Sequence, residues 1–322
     1  MTLNEFLAEW HNDNPRILVH TSGSTGKPKP LMVEKRRMLN SARITCDFLG
    51  LKPGDTALLC MPLDYIAGKM MVVRSLQRNL RLTSVRPSSH PLADDTLPSF
   101  TFAAMVPMQV YNTLKVPCER ERLMHIRHLI IGGGAISDEL AQMIKTLPNA
   151  VWSTYGMTET LSHIALRRLN GPDASLWYTP FDGVGISLNA DGCLVIDAPE
   201  VCAEPLVTND IAQLRTDDRT GKTLFRIKGR KDNVVCSGGI KIQIEEVEET
   251  LRPHLSAPFM IIKKQDEVLG EKAILLTESA DLTHIEEICR NTLPKYWVPR
   301  QFLHIDRLPL TETGKPKRSG AF

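Results

Sequence analysis

The chain has 322 residues, which is enough for one large domain and a smaller one. Its hydrophobic fraction of 42% and charged fraction of 24% are typical of a globular protein, and its formal net charge of +2 does not suggest a nucleic-acid partner or membrane insertion. The seven cysteines include no C-x-x-C pair, and the N-terminus has neither the charge nor the apolar run of a signal peptide, so we expect a cytoplasmic protein.

Short apolar segments alternate with helical patterns through the first two thirds of the chain. Strands are predicted over residues 16–20, 56–61 and 128–131, and helices over residues 35–49, 68–78 and 137–146. Ser137 is the candidate N-cap of the last of these helices. This alternation predicts an α/β domain whose ligands bind in loops at the ends of strands.

The pattern changes after residue 183, where short strands and turns predict a β-rich subdomain reaching residue 227. Beyond it, a strand pair near Ser237–Gly239 and helices over residues 243–251 and 282–293 are expected. We therefore predict a large α/β domain with a β-rich subdomain over residues 1–231. A small, mobile α+β domain is predicted over residues 232–322.

The most informative local signal is a loop rich in small residues and hydroxyls that directly follows the first strand. Small residues let successive backbone N–H groups turn toward one anion, and hydroxyls and lysines supply further donors. It is not a Walker A loop, because Pro28 follows the lysine and only two residues separate the glycines. The alternative is a surface turn, which is also the interpretation of the similar string at residues 219–223. The candidate phosphate-binding residues are Thr21, Ser22, Gly23, Ser24, Thr25, Gly26 and Lys27, within a loop that ends at Lys29.

This loop is the first of four motifs that occur in the order seen in the adenylate-forming superfamily. The others are Tyr155–Glu159 (Y-G-M-T-E), Gly229–Asp232 (G-R-K-D) followed by Ser237–Gly239, and Pro309–Lys315 (P-L-T-E-T-G-K). Over about residues 17–318 the chain resembles this family, which includes acyl-CoA synthetases, luciferases and the adenylation domains of peptide synthetases. The resemblance implies an acid–thiol ligase that uses ATP, Mg²⁺ and coenzyme A. It would form an acyl-adenylate and then a thioester.

The resemblance also implies roles for individual residues at the nucleotide. The adenine would lie with its edge against Gly132, Gly133 and Gly134 and with its face against Tyr155. Thr158 would contact the α-phosphate, and Glu159 would bind Mg²⁺. Asp210 and Arg230 would bind the ribose. Taken alone, the glycines also fit a strand-to-helix turn, and Glu159 also fits an acidic residue at a helix N-terminus. Asn209 replaces the glycine that usually precedes the ribose-binding aspartate, and asparagine tolerates a left-handed backbone.

Three residues near the C-terminal region would serve the two half-reactions. Lys315 resembles the catalytic lysine of adenylation, Lys241 a basic residue of the thioester-forming state, and Asp232 the hinge about which residues 233–322 rotate. An ammonium group that bridges carboxylate and phosphate oxygens suits the charge that accumulates during adenylation. On composition alone, Lys315 would be a solvated lysine in a basic stretch.

Two segments look most like the o-succinylbenzoate–CoA ligases of menaquinone biosynthesis, namely residues 67–74 and 155–167. That small-molecule substrate carries a second carboxylate, which needs a polar or cationic partner. The candidate partners are Tyr65, Lys69, Arg74, Ser162 and His163. Residues 61–68 and 161–163 could equally belong to the core or to a surface helix.

The chain departs from the family in having only about twenty residues before the phosphate loop. We therefore expect a shortened N-terminal subdomain, or a homo-oligomer in which another protomer completes the coenzyme A route. Two alternatives for function stay open on the sequence. One is an enzyme that loads another aryl or acyl acid onto coenzyme A or a carrier-protein thiol. The other is an inactive nucleotide-binding protein, although both Glu159 and Lys315 are present.

Overall fold

The computed structural model describes residues 1–20, 30–134, 136–310 and 316–318. Its contacts divide the chain into two compact units. The first unit comprises Met1–Ile186, Ile196–Leu206 and Leu214–Phe225. The second comprises Ser187–Val195, Val207–Gln213 and Arg226–Phe322.

The first unit alternates helices and strands, as the apolar pattern predicts. In chain order its elements are α1 (Leu3–His11), β1 (Arg16–His20), β2 (Pro30–Glu34), α2 (Lys35–Leu49), β3 (Thr56–Leu59), α3 (Ile66–Arg78), β4 (Arg81–Ser84), β5 (Phe102–Met105), α4 (Pro107–Lys115), α5 (Pro117–Met124), β6 (His128–Ile131), α6 (Asp138–Lys145), β7 (Ala150–Gly156), β8 (His163–Arg168) and β9 (Thr179–Pro180).

A seven-stranded sheet in the order β4-β3-β5-β6-β7-β8-β9 organises this unit. The strands from β4 to β7 are parallel to their neighbours, whereas β8 and β9 pair antiparallel. Because β5, β6 and β7 run in the same direction, their carboxyl ends meet at one edge, where ligands of α/β sheets usually bind. The predicted α/β class is confirmed.

Buried apolar side chains cover this sheet. Every residue of β5 is buried, as expected for a parallel strand with both faces covered. Helices α4, α5 and α6 add Val110, Leu123 and Ile144 to the same cluster. The predicted cap of α6 is confirmed, because the hydroxyl of Ser137 accepts a hydrogen bond from the Leu140 N–H at 3.2 Å.

The β-rich region is a four-stranded sheet, and its residues are divided between the two units. Its strands, in spatial as well as chain order, are β10 (Gly185–Leu188), β11 (Cys193–Asp197), β12 (Leu206–Thr216) and β13 (Thr223–Arg230). The string at residues 219–223 lies at the turn between β12 and β13, where the N–H of Gly221 donates to the Asp217 carbonyl at 2.8 Å. Its interpretation as a hairpin turn is confirmed.

The rest of the second unit has an α+β arrangement. Its elements are β14 (Val234–Ser237), β15 (Ile240–Gln243), α7 (Ile244–Leu251), β16 (Phe259–Asp266), β17 (Gly270–Thr277), α8 (Leu282–Thr292) and β18 (Gln301–His304). The strands pair in the order β15-β14-β17-β16, and β18 adds to β17 in parallel. Val247, Leu251, Leu275 and Ile285 form the centre of its core.

The predicted division at residues 231 and 232 stays a prediction, as does the mobility of the small domain. The C-terminal stretch of the second unit begins at Arg226, and two short segments of the β-rich sheet belong to it as well. Within the described ranges, every helix is too short or too polar to cross a membrane.

Candidate functional site

Two of the predicted groups lie outside the described residues, namely the phosphate loop with Thr21–Lys27 and the catalytic candidate Lys315. The residues on either side of each group are described. His20 and Pro30, which flank the phosphate loop, are register partners in the β1–β2 ribbon. Leu310 and Pro316, which flank the segment with Lys315, form an isolated bridge.

The glycine loop begins where β6 ends, at the carboxyl edge of the sheet. A Cβ atom at Gly132 would lie 2.4 Å from Thr154 Oγ1, so a side chain there would collide with β7. Gly133 has a φ of +80°, a conformation that favours glycine. Packing and backbone geometry therefore explain these two glycines, and the adenine-binding role of the loop stays a prediction.

Tyr155 lies near the end of β7, within an aromatic cluster. Its ring meets Phe225 edge-on at a centroid distance of 5.0 Å, and the Tyr178 ring stacks on Phe225 at 5.3 Å. The Tyr178 hydroxyl also forms a hydrogen bond with Ser153 Oγ at 2.9 Å. Sequence reasoning missed Tyr178 and Phe225, because both belong to distant segments that carry no motif. They restrict the orientation of the Tyr155 ring.

Thr158 and Glu159 lie on a single 3₁₀ turn, Thr158–Thr160, directly after β7. Thr158 is buried and Glu159 is exposed. The next residue after this turn, Leu161, is buried with φ +64° and ψ −32°, a conformation that costs a non-glycine residue on the order of 1–3 kcal/mol. This strain was not predicted. Glu159 therefore lies in the first turn of a short 3₁₀ helix and does not begin an α-helix.

Two features hold this strained turn in place. The hydroxyl oxygen of Thr160 lies 2.9 Å from the Met157 carbonyl and 2.6 Å from the Ser162 carbonyl, and its single hydrogen can be donated to either. A Cβ atom at Gly156 would lie 2.3 Å from the Ser162 carbonyl, so only glycine permits this close approach. Residues 161–163 thus form the buried entry into β8, and the surface-helix alternative for them is wrong.

Glu159 is compatible with a magnesium site of the kind found with nucleotides. Mg²⁺ is usually held by one or two carboxylates together with phosphate oxygens and water, so one exposed carboxylate suffices on the protein side. Among the described residues, no group of three or more His, Cys, Asp or Glu side chains could hold a metal without such help. The single carboxylate of Glu159 therefore fits a Mg²⁺ ion that is also bound by phosphate oxygens of a nucleotide.

Three of the predicted substrate residues form a buried polar chain. Arg74, on α3, is 2% exposed, and its Nη2 donates to Ser162 Oγ at 2.5 Å. Ser162 Oγ in turn forms a hydrogen bond with His163 Nδ1 at 3.1 Å. The structure thus brings Arg74, Ser162 and His163 together, although α3 and the start of β8 are far apart in sequence.

The guanidinium of Arg74 has no carboxylate partner within the described part of the chain. Burial lowers the pKa of Arg74 to about 10, which still leaves it charged at neutral pH. Among the described residues, its buried Nε has no hydrogen-bond partner, and its Nη1 has one weak bond, to the sulfur of Met71 at 3.9 Å. A buried charge of this kind is costly without a counter-ion, so Arg74 is a candidate partner for an anion.

The other two predicted substrate residues have different surroundings. Lys69 is buried, and its Nζ donates to the Leu18 carbonyl of β1 at 2.7 Å and lies 5.9 Å from the centre of the Phe6 ring. Burial also lowers the pKa of Lys69. Tyr65 precedes α3 and is 47% exposed. Lys69 is therefore held by β1 and does not share the contacts of Arg74.

In the second unit, Arg230 joins the predicted ribose ligand to the predicted hinge. It forms an ion pair with Asp210 at 3.2 Å and a two-pronged pair with Asp232 at 3.0 and 3.1 Å. Burial opposes the charge, but the bond to Asp232 and the charges of both aspartates raise the pKa of Arg230 overall. Asn209 lies within β12 and does not have a positive φ, so its tolerance of a left-handed backbone is not needed here.

Lys241 lies on β15, where it is exposed and is the register partner of Cys236 on β14. A Cβ atom at Gly229 would lie 2.4 Å from Gln243 Nε2 and 2.5 Å from Glu245 Oε2, so the ends of these two side chains lie against the glycine of the G-R-K-D motif. The second unit therefore contains Asp210, Arg230, Asp232 and Lys241. The roles assigned to these residues stay predictions.

The chain is similar to several known proteins in sequence and in structure. Residues 4–203 match the model of a family described as AMP-binding enzyme. A 2-succinylbenzoate–CoA ligase from Bacillus mycoides is 25% identical over 334 residues, which cover 95% of this chain and 69% of that enzyme. The chain thus spans about two thirds of the length of this relative.

Two solved structures are also similar. One is the acyl-CoA synthetase (AMP-forming)/AMP-acid ligase II-like protein from Dyadobacter fermentans, with 32% identity, a TM-score of 0.68, and coverage of 98% of this chain and 91% of that one. The other is the o-succinylbenzoate coenzyme A synthetase from Bacillus subtilis in complex with ATP and a magnesium ion. It has 23% identity, a TM-score of 0.72, and coverage of 94% and 68%, and at this identity it supports the fold alone.

Proposed function

This chain belongs to the family of AMP-binding enzymes, and on that basis we propose that it joins 2-succinylbenzoate to coenzyme A in two ATP-dependent steps. Its enzyme class, the AMP-forming acid–thiol ligases, is that of its relatives and agrees with the four ordered motifs. The substrate and the thiol acceptor are the parts of the proposal that go beyond the class.

One observation carries the choice of substrate: the buried cation of Arg74 that lacks a carboxylate partner among the described residues. A substrate that keeps a second carboxylate after activation would supply the missing charge and leave Ser162 as a neighbouring hydroxyl. A simple fatty or aryl acid would leave the guanidinium uncompensated. The names of the relatives, 2-succinylbenzoate–CoA ligases, point to the same acid.

In the first step, an oxygen of the succinyl carboxylate attacks the α-phosphorus of ATP and pyrophosphate leaves. Thr21–Lys27 bind the phosphates, Tyr155 and the Gly132–Gly134 loop hold the adenine, and Asp210 with Arg230 holds the ribose. Thr158 contacts the α-phosphate, and Lys315 stabilises the charge that grows on the reacting oxygens. Mg²⁺, held by Glu159 and the phosphates, would neutralise further phosphate charge.

In the second step, the thiol of coenzyme A loses its proton and attacks the acyl carbon. AMP then leaves and keeps the bridging oxygen. Lys315 and Lys241 serve different half-reactions, and one rigid site cannot present both to the same adenylate. We therefore include in the proposal a rotation of residues 233–322 about Asp232 between the steps. The ion pair of Arg230 with Asp232 lies directly before residue 233, where the rotating segment begins.

The test is pyrophosphate exchange with a panel of carboxylic acids, since it reports the first step without assuming the acceptor. We expect 2-succinylbenzoate to support exchange far better than 4-oxo-4-phenylbutanoate, which lacks only the ring carboxylate. Exchange with a fatty or simple aryl acid but not with 2-succinylbenzoate would refute the substrate. If none of the acids in the panel supports exchange, the chain is an inactive nucleotide-binding protein. Coenzyme A and a carrier-protein thiol are then compared as acceptors.

A further inference from the structure

The polar chain at Arg74 does not end at His163. On the other side of the imidazole ring, Nε2 lies 3.2 Å from the hydroxyl of Thr45, which belongs to α2. Thr45 is fully buried, and its hydroxyl also lies 3.1 Å from the carbonyl oxygen of Ser41, one helical turn earlier. Five groups are therefore connected in series: Arg74, Ser162, His163, Thr45 and the Ser41 carbonyl.

Both ends of this series allow only one hydrogen-bond direction. A guanidinium can only donate, so Ser162 Oγ accepts from Arg74. A carbonyl oxygen can only accept, so the Thr45 hydroxyl is the donor in its contact with Ser41. With that hydrogen used, Thr45 Oγ1 can only accept from His163, and this arrangement places a hydrogen on Nε2 of the imidazole.

The imidazole is neutral in this environment. Burial, and then the nearby charge of Arg74, lower the pKa of His163 well below its usual value. A neutral imidazole with its hydrogen on Nε2 has Nδ1 free as an acceptor, and the Ser162 hydroxyl donates to it. Every hydrogen in the series is thus assigned, from Arg74 to Ser41.

We infer that Thr45 and His163 are positioning residues, which act through Ser162 to hold the Arg74 guanidinium toward the second carboxylate of the substrate. Neither residue needs to touch the substrate. The relay keeps the Ser162 hydrogen directed at His163, so that the oxygen of Ser162 faces Arg74 with its lone pairs. The link to a second carboxylate rests on the proposed function, whereas the direction of the relay does not.

Loss of the Thr45 oxygen should reverse the relay. A hydrogen on Nε2 would then be buried without an acceptor, which is costly, so the hydrogen should move to Nδ1. From Nδ1 it would be donated to Ser162, and the hydroxyl hydrogen of Ser162 would lose its acceptor on His163 and be free to rotate. The guanidinium would lose part of its fixed orientation, and discrimination between substrates with and without the second carboxylate should weaken.

The first test measures the tautomer and needs no substrate. The protein is labelled with ¹⁵N-histidine, and the signals of His163 are identified by their loss in His163→Gln. We expect Nε2 to be protonated and Nδ1 to be unprotonated at pH 7. In Thr45→Val the Nδ1–H form should increase, and in Thr45→Ser it should not. An Nδ1–H or charged ring in the unaltered protein would overturn the relay, even if the proposed substrate is right.

The second test measures selectivity as the ratio of kcat/KM for 2-succinylbenzoate and 4-oxo-4-phenylbutanoate. Thr45→Val should lower this ratio about tenfold, and Thr45→Ser should restore it. The control is Thr113→Val on α4, since Thr113 is also fully buried but its hydroxyl has no hydrogen-bond partner within the described residues. Equal losses with both acids would overturn the positioning role. If the unaltered enzyme does not use 2-succinylbenzoate, the proposed function fails, and the tautomer measurement alone decides the relay.

Discussion

Arg74 is held in the first unit at a cost that its contacts do not offset. Its side chain is fully enclosed, it makes one strong hydrogen bond, and no acidic side chain of the described residues lies against it. Natural proteins keep such groups where function requires them, and the cost appears as lower stability. This trade-off gives a prediction in which stability and activity move in opposite directions.

Arg74→Met keeps the length of the side chain and removes the charge. We expect an unfolding free energy that is unchanged or higher, because an uncompensated buried cation is lost, and at least a tenfold lower kcat/KM with 2-succinylbenzoate. Denaturant unfolding and steady-state kinetics measure the two effects. The control is Arg78→Met on the same helix, whose arginine is paired with Asp47. Marked destabilisation together with an equal loss for 4-oxo-4-phenylbutanoate would show that Arg74 has a structural role.

Sequence reasoning found Arg74, Ser162 and His163 as separate candidates but could not rank them. Their juxtaposition depends on how α3 packs near the start of β8, and no local pattern reports such a contact. Thr45 and the aromatic partners of Tyr155 were missed for the same reason. The strained Leu161 was missed because its positive φ is imposed by the surrounding turn and is not a preference of leucine.

Elements were more predictable than contacts. Six elements of the first unit, β1, α2, β3, α3, β6 and α6, follow from apolar periodicity, and the Ser137 cap follows from the preference of serine for that position. Gly132, Gly133 and Gly134 were predicted as ligand contacts, and the structure adds a second reason for two of them, the packing at Gly132 and the positive φ at Gly133. Gly156, for which no ligand contact was predicted, lies where a Cβ atom would meet the backbone carbonyl of Ser162 at 2.3 Å.

The segment with Lys315 is anchored at its base by described residues. The Lys317 N–H donates to the Pro309 carbonyl at 2.9 Å. Arg318 binds Glu248 of α7 through two hydrogen bonds of 2.7 and 2.8 Å, and it also donates to the Ile261 carbonyl at 2.5 Å. Glu248 is buried, so this pair is shielded from water and salt.

Glu248→Gln should therefore destabilise the protein and slow adenylation. Removing one partner of a buried pair leaves the other charge uncompensated, which costs about 3–5 kcal/mol. The matched control is Glu286→Gln, which breaks the exposed pair with Arg290 on α8 and should cost about 0.5 kcal/mol or less. Thermal unfolding and pyrophosphate exchange measure the two effects. Equal, small changes in melting temperature and exchange rate in both variants would show that the Arg318–Glu248 pair does not stabilise the C-terminal end of the segment with Lys315.

The proposed function requires the molecule as a whole to perform two reactions on one adenylate. The described residues form two compact units, and the predicted groups for adenine and metal lie in the first, whereas those for ribose, hinge and thioester formation lie in the second. The rotation proposed about Asp232 concerns residues 233–322, which carry Lys241 and Lys315, and does not include Asp210 and Arg230, although both belong to the same unit. It leads to a prediction that separates the half-reactions.

Lys315→Ala should slow adenylation by a factor on the order of 10² to 10³, the loss typical of one preorganised electrostatic donor. The same variant, supplied with synthetic acyl-adenylate and coenzyme A, should form thioester at nearly the normal rate. Lys317→Ala is the control for loss of a positive charge in the same basic stretch. A lysine that only supports the fold would slow both steps and lower the melting temperature.

The central claim is that the acid is activated as an acyl-adenylate, and an isotope label tests it most directly. With 2-succinylbenzoate carrying ¹⁸O in both oxygens of the succinyl carboxylate, the bridging oxygen stays with phosphorus when the thiol attacks the acyl carbon. We predict that AMP isolated after one turnover with ATP and coenzyme A contains one ¹⁸O atom, as mass spectrometry can measure. Unlabelled AMP, or label in orthophosphate, would contradict the account.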